Sequence, residues 1–200
     1  DAQESRGLGD VYKRQVKSGE AVLLDGKGYY KRITTPEAFL DCQRHMLYNE
    51  NMSQRLTENN FSGAAIGEPV YIGENVSVMS GSVIESGSVI DNNAVVKGGK
   101  VNGYVGIGSV ISERCDINSA VVCRGAVLDS GVKCGEYSVI GEKAHIASEA
   151  VIEKGVGIWS GKTVEKGARL YENVKISSDS RLVIDENGEC SLWGLSLIHI

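Results

Sequence analysis

The stretch that decides the fold reads SGSVIESGSVID, residues 80–91, and repeats one hexapeptide almost unchanged. A period of six matches neither the 3.6 residues of a helical turn nor the two-residue alternation of a strand. One repeat unit therefore has to hold more than one local conformation. We interpret each unit as a short strand followed by a corner.

The same period continues along most of the chain as a row of aliphatic residues, which we call the comb. Four residues after most comb positions the residue is small or Val, as at Ser82 and Ala144. Three units close a triangle, so the pattern predicts a mainly β fold, a parallel β-helix of about six coils stacked about 4.8 Å apart. The comb consists of Ile66, Ile72, Val78, Ile84, Ile90 and Val96, then Val105, Ile111 and Ile117, and then Val122, Leu128, Cys134, Ile140, Ile146, Ile152, Ile158, Val164, Leu170 and Ile176.

Two features depart from the comb. The stretch GGKVNGYVG, residues 98–106, breaks its phase and predicts a loop pushed out of the coil. Lys100 and Lys162 stand where a small residue is expected. We expect each lysine to turn its ammonium group to water at a relaxed corner.

The residues before the coils predict a short β-hairpin and a helix. AVLLDGKGYYKRI, residues 21–33, places the turn signal Asp25-Gly26 between two β-rich runs. In the stretch that follows, Thr34 and Glu37 have capping-box spacing, and Pro36 fits the first helical turn. The expected apolar face of this helix comprises Ala38, Phe39, Cys42, Met46 and Leu47.

The two ends of the chain are expected to be foreign to the fold. DVYKRQ, residues 10–15, and LSLIHI, residues 195–200, are translations of one DNA sequence and its reverse complement, identified as a sequencing-library adapter. We expect residues 1–15 and 195–200 to be adapter-derived tails. The remaining expectations are a core remnant and linker helix over 16–60, the β-helix over 61–183, and the start of a further segment over 184–194.

Two stretches resemble a known family. GYYKRITTPEAFLDCQRHML, residues 28–47, resembles the segment GYWxDIGTPxxYLxAxxDLL that closes the nucleotidyltransferase core of sugar-nucleotide pyrophosphorylases. IWSGKTVEKGARL, residues 158–170, resembles the late coils of bacterial mannose-1-phosphate guanylyltransferase-like proteins. The resemblance implies a left-handed β-helix. It also implies a parent enzyme that makes nucleotide sugars with Mg²⁺, with GTP and mannose 1-phosphate as the favoured substrates.

The chain departs from that family at its metal-holding motif. Arg32 stands where the family has an acidic metal ligand, and Thr34 replaces a glycine. A guanidinium group cannot ligate a cation. We therefore assign no catalytic, cofactor-binding or metal-binding residue in this chain and expect it to be inactive alone. Its expected partners are the missing nucleotidyltransferase core of the same parent chain and, through the β-helix, further copies of itself.

Two alternative functions stay open. A hexapeptide acyltransferase would use a histidine as general base, and the candidates are His45 and His145, because His199 lies in the adapter. The only carboxylate near His145 in sequence is Glu142. The other alternative is a regulatory β-helix subunit without catalysis.

Composition excludes several classes of function. Lys and Arg number 21 against 26 Asp and Glu, which gives a net charge of −5, and no basic stripe points to nucleic acid. No apolar run approaches the roughly 20 residues of a membrane span. The five cysteines lack CxxC spacing. They are expected to be reduced thiols of a cytoplasmic protein.

Overall fold

The computed structural model describes residues 15, 17–19, 28–49, 54–55, 61–174, 181–184 and 190–193. The chain divides into two compact units, Asp1–Lys31 and Arg32–Ile200. Of the expected hairpin, residues 21–27 lie outside the described residues, and residues 28–33 form no strand. The expected tails lie outside them as well, apart from residue 15.

The second unit contains the helix α1 (Pro36–Asn49) and short strands numbered β1 to β20. The strands are β1 Gln54–Arg55, β2 Ala65–Ile66, β3 Tyr71–Ile72, β4 Ser77–Val78, β5 Val83–Ile84, β6 Val89–Ile90, β7 Val95–Val96, β8 Lys100–Val105, β9 Val110–Ile111, β10 Asp116–Val122, β11 Val127–Leu128, β12 Lys133–Cys134, β13 Val139–Ile140, β14 His145–Ile146, β15 Val151–Ile152, β16 Gly157–Ile158, β17 Thr163–Val164, β18 Arg169–Leu170, β19 Arg181–Ile184 and β20 Cys190–Trp193.

The strands β1 to β18 pair in parallel with the strand one coil away and form three faces. Face 1 consists of β2, β5, the first part of β8, the first part of β10, β12, β15 and β18. Face 2 consists of β1, β3, β6, the remainders of β8 and β10, β13 and β16, and face 3 consists of β4, β7, β9, β11, β14 and β17. The prediction of a left-handed parallel β-helix of about six coils is confirmed. An antiparallel pair, β19 and β20, follows it.

The comb forms the core of the β-helix. Every comb residue from Ile72 to Leu170 is buried, Ile66 at the open first coil is half-buried, and Ile176 lies outside the described residues. The small residues four positions on, such as Ser82 and Ala144, are buried too. Because one aliphatic and one small side chain recur per unit, successive coils present matching layers and the core continues from coil to coil.

The phase break at residues 98–106 is a shortened corner, so the prediction of an extruded loop is wrong. Strand β8 runs from face 1 to face 2 without leaving the sheet, and β10 does the same one coil further along. Val101, which the comb omits, is fully buried and occupies a core position. The backbone closes these corners with fewer residues by using a bulge at Asn118/Ala120 and a positive φ of 138° at Gly103.

Helix α1 packs on the regular corner at Gly87 and on the two shortened corners of the following coils. The Gln43 side-chain amide donates hydrogen bonds to the carbonyl oxygens of Gly87, at 2.7 Å, and Gly103, at 3.2 Å. Arg44 donates to Ser119 Oγ at 2.9 Å and to Asn102 Oδ1 at 3.3 Å. The helix therefore lies against the break in the six-residue period and against the regular corner that precedes it.

The helix begins and turns differently from the sequence-based expectation. Its first hydrogen-bonding cap is Thr35, whose Oγ1 accepts from the Ala38 amide at 3.1 Å, whereas the spacing favoured Thr34. Ala38 and Leu47 are buried as expected, while Met46 is 39% exposed. Leu40 and Gln43 take the remaining buried positions. A polar Gln on the buried side is possible because the corners offer it two carbonyl oxygens.

The two lysines behave differently. The Lys100 ammonium faces water, as expected, and pairs with Glu85 at 2.8 Å. Lys162 is only 5% exposed and extends through an interior position of the last coils. This burial differs from the expectation that Lys162 turns its ammonium group to water at a relaxed corner. Among the described residues, the buried side-chain nitrogen and oxygen atoms without a hydrogen-bond partner are Gln43 Oε1 and Ser138 Oγ.

The cysteines whose side chains are described carry free thiols, and the described helices are too short or too polar to cross a membrane. Cys42, Cys115, Cys123 and Cys134 are free thiols. Within the described ranges, no helix has both the length and the apolar character that crossing a membrane requires.

Replacing a comb residue with a carboxylate should unfold the coils. Ile140→Asp places an unpaired charge at a fully buried position. We expect it to cost more than about 4 kcal/mol of unfolding free energy, measured by urea titration with circular dichroism. The matched control is Thr163→Asp at an exposed outward position, which should change stability by less than about 0.5 kcal/mol. Equal midpoints for the two variants would show that the comb does not point inward.

The shortened corner should require glycine at position 103. A Cβ there would overlap the carbonyl oxygen of Ala120, and the φ of 138° is one that side chains rarely adopt. We expect Gly103→Ala to cost roughly 3 kcal/mol, read from the shift of the thermal unfolding midpoint. Gly155→Ala also has a positive φ, 73°, but meets open space, so about 1 kcal/mol is expected. A smaller loss at 103 than at 155 would contradict the corner geometry.

Candidate functional site

The candidate site lies on the outer surface of face 3, at His145. Strand β14 turns Ile146 into the core, so the preceding residue, His145, points outward. Val127 of β11 lies directly across from His145, and Asp129 follows two residues later on the same outward side. The His145 Nε2 atom lies 3.0 Å from Asp129 Oδ2. The pairing of two coils thus joins residues that are sixteen positions apart in sequence.

The chemistry of this pair fixes the role of each ring nitrogen. An ionised carboxylate only accepts hydrogen bonds, so Nε2 carries the proton that it shares with Asp129. The Nδ1 atom then has a free lone pair, and no described residue donates a hydrogen bond to it. The His145 and Asp129 side chains are 47% and 36% exposed, so a substrate can reach them. The arrangement is that of a general base oriented by a carboxylate.

The main chain of Asp129 also has a hydrogen-bond partner in the core. The buried Cys115 thiol donates a hydrogen bond to the Asp129 carbonyl oxygen at 3.1 Å. Burial raises the pKa of the Cys115 thiol, which keeps it protonated as a donor. The main chain that carries the carboxylate is therefore fixed to the interior.

An ion pair flanks the site on the next corner. Arg114 lies 3.0 Å from Glu149 and reaches it across the intervening coil. Gly131 makes this possible, because a Cβ at that position would come within 2.5 Å of the Glu149 carboxylate. The corner beside His145 and Asp129 therefore carries one positive and one negative group, both exposed to solvent.

The other residues singled out in the sequence lie elsewhere. Glu142, the carboxylate nearest to His145 in sequence, pairs with Lys143 at 3.4 Å. His45 lies on α1, with Nδ1 3.2 Å from the Asn49 side-chain nitrogen. Arg32 is exposed ahead of the helix. Within the described residues, no group of three or more His, Cys, Asp or Glu side chains could hold a metal ion.

A second feature is an apolar cavity of about 300 Å³ between α1 and face 2. The Tyr104 ring borders it and meets Phe39 of the helix edge-on, with ring centres 5.4 Å apart. The Tyr104 hydroxyl donates to Asp91 Oδ2 at 3.1 Å. Burial, assisted by the Asp91 charge, raises the pKa of Tyr104 to about 12.

Comparison with known proteins gives matches among solved structures. No family model matches the chain, and no curated protein matches it. A mutant GDP-perosamine N-acetyltransferase from Caulobacter crescentus matches with 21% identity over 66% of this chain and 54% of that one, at a TM-score of 0.44. The chain thus spans about half the length of that protein.

Two further matches are more distant. The acetyltransferase domain of PglB from Neisseria gonorrhoeae matches with 18% identity over 80% of this chain and 82% of that one, at a TM-score of 0.28. A UDP-N-acetylglucosamine acyltransferase from Campylobacter jejuni matches with 15% identity over 56% and 71%, at a TM-score of 0.27. Because the identities are all below 25%, the likeness of this chain to these proteins is one of fold alone.

These matches correct the function expected from the sequence. The solved structures are acyltransferases, and the assignment to a nucleotidyltransferase acting on GTP and mannose 1-phosphate is wrong. The same comparison gives no support to a nucleotidyltransferase core as the partner of this chain. The hexapeptide repeat occurs in more than one class of enzyme, so it could not distinguish a nucleotidyltransferase from an acyltransferase. The helix motif that favoured the nucleotidyltransferase is short, and it departs from the family's motif at Arg32 and Thr34.

The raised pKa of Tyr104 should make part of the stability depend on alkaline pH. A folded-state pKa of about 12, above the ordinary value of 10.0, means that the unfolded chain loses this proton first as pH rises. The stabilisation is complete below about pH 10 and declines from there towards pH 12. Tyr104→Phe should remove this part of the decline in unfolding free energy, whereas Tyr48→Phe at an exposed position should not. Parallel pH profiles for the wild type and Tyr104→Phe would contradict the assignment.

Proposed function

We propose that this chain is an acyltransferase in which His145 acts as the general base and Asp129 orients it. The observation that supports the proposal is the 3.0 Å contact between His145 Nε2 and Asp129, which leaves Nδ1 free on an accessible surface. The acyl donor is a thioester and the acceptor is an amine or a hydroxyl group.

The proposed step is a direct transfer. Nδ1 of His145 takes the proton from the acceptor as its nitrogen or oxygen attacks the thioester carbonyl. The carbon–sulfur bond then breaks, the acyl group stays on the acceptor, and the departing thiolate recovers a proton. Asp129 stabilises the imidazolium that forms in between, because its carboxylate already accepts a hydrogen bond from Nε2.

The proposal includes a second copy of the chain. His145 lies on a flat sheet face, and the outward residues of the preceding coils are Val127, Val110 and Val95, which are half-buried in the single chain. A valine strip that leads to the base is suited to cover by a second β-helix. In a homo-oligomer of this kind, substrates would bind in the seam beside His145.

The test is thiol release from acetyl-coenzyme A in the presence of a panel of acceptors, including amino sugars and nucleotide-linked amino sugars. We expect His145→Ala to lower the rate by about 10²-fold or more and Asp129→Asn to lower it less. His45→Ala should leave the rate unchanged, because that histidine lies on α1 away from the site. Equal rates for wild type and His145→Ala, or no release with any acceptor, would favour a non-catalytic β-helix.

A further inference from the structure

The cavity between α1 and face 2 has two tyrosines on one wall at a regular spacing. Tyr71 pairs with Val89, and Val89 pairs with Tyr104, so the three residues form one outward column on successive coils. Neighbouring parallel strands lie about 4.8 Å apart, which separates the two tyrosines by about 9.6 Å at their bases. The shorter Val89 between them leaves a slot flanked by two aromatic side chains.

The helix forms the facing wall of this open cavity. Phe39 stands at 89° to Tyr104, with ring centres 5.4 Å apart, so these two rings form walls at a right angle. Cys42 and Met46 also line the cavity from the helix side. Three aromatic residues therefore surround a volume of about 300 Å³.

No charged side chain among the described residues lines the cavity, and both a carboxylate, Asp91, and a guanidinium group, Arg124, act on its Tyr104 wall. Asp91 accepts the hydrogen bond of Tyr104 at 3.1 Å, which places a carboxylate behind one of the aromatic walls. No basic side chain is among the residues that line the cavity. The nearest arginine on the helix, Arg44, is directed to Asn102 and Ser119 instead.

We propose that this cavity binds a small organic cation carrying a quaternary ammonium group. The strand spacing places a point midway between the bases of Tyr71 and Tyr104 about 4.8 Å from each base, and an aromatic ring attracts a cation that lies over its face within roughly 6 Å of the ring centre. The methyl groups of the cation would contact the apolar walls, and Asp91 would supply the opposite charge through Tyr104. The site is separate from His145, which lies on face 3.

The direct test compares two probes of the same shape, choline and its neutral isostere 3,3-dimethylbutan-1-ol, by titration calorimetry of the full chain. We expect choline to bind at least tenfold more tightly than the neutral compound, because only the cation gains from the ring faces and from Asp91. Equal affinity for the two probes would show a merely apolar void and would overturn the proposal. The absence of choline binding at millimolar concentration would also overturn it.

Matched variants locate the site. Tyr71→Leu removes a ring and should weaken choline binding about tenfold, whereas Tyr71→Phe keeps the ring and should change it less than about twofold. Asp91→Asn should reduce the preference for choline over the neutral compound. Thermal unfolding of each variant checks that the fold is kept, and Val89→Phe, which fills the slot from its floor, should abolish binding. Choline binding unaffected by both Tyr71→Leu and Val89→Phe would place the cation elsewhere.

A further binding experiment distinguishes a free small cation from the headgroup of a lipid. Binding of free choline without binding to phosphatidylcholine vesicles identifies a small metabolite. Binding of both identifies a lipid headgroup, and either result supports the quaternary ammonium class. Binding of the vesicles that persists in Tyr71→Leu would contradict it.

Discussion

The structure depends on the hydrogen bonding of each coil to the next. The amide of Val127 donates to Ala144 at 2.9 Å, and the amide of His145 donates to Lys162 at 2.8 Å, so the backbone repeats itself one coil further along. This register puts one column of side chains into the core and another onto each face. A residue on a face therefore has fixed neighbours about 4.8 Å away on the adjacent coils. His145 with Asp129, and Tyr71 with Tyr104, are both consequences of that spacing.

The helix shows what happens when the period is interrupted. Shortening the corners at β8 and β10 keeps the core columns intact but changes the course of the backbone, and the carbonyl oxygens of Gly87 and Gly103 receive hydrogen bonds from Gln43. These bonds satisfy both carbonyl oxygens and the Gln43 nitrogen, so corner and helix stabilise one another, although Gln43 Oε1 has no partner among the described residues. The helix in turn forms one wall of the cavity on face 2. An irregularity in the repeat is thus the origin of the only helix among residues 28–49 and 61–174 and of the cavity beside it.

Much of the fold could be predicted from the sequence, because the comb reports core positions directly and all of its residues from Ile72 to Leu170 are buried. The corner at residues 98–106 could not, because a phase shift alone does not distinguish an extruded loop from a shorter path. Asp129 was missed because the nearest carboxylate was sought along the chain, whereas its partner lies one coil away. If the sequence is written with one coil per row, Asp129 lies in the row before His145 and close to it across the two rows. The function was misassigned because it rested on two short stretches, residues 28–47 and 158–170, the first of which departs from the family motif at Arg32 and Thr34. The hexapeptide repeat itself defines a scaffold and does not indicate the chemistry on its faces.

The most direct test of the account is nitrogen NMR spectroscopy of the His145 ring in the wild type and in Asp129→Asn. The contact between His145 Nε2 and the Asp129 carboxylate favours the neutral tautomer in which Nε2 carries the proton and Nδ1 keeps its lone pair. We expect a single tautomer with that assignment in the wild type, and a change in the Nε2 resonance when Asp129 is replaced. A mixture of tautomers that is identical in both proteins would show that the two coils do not bring these side chains together, and the proposed general base would have no support.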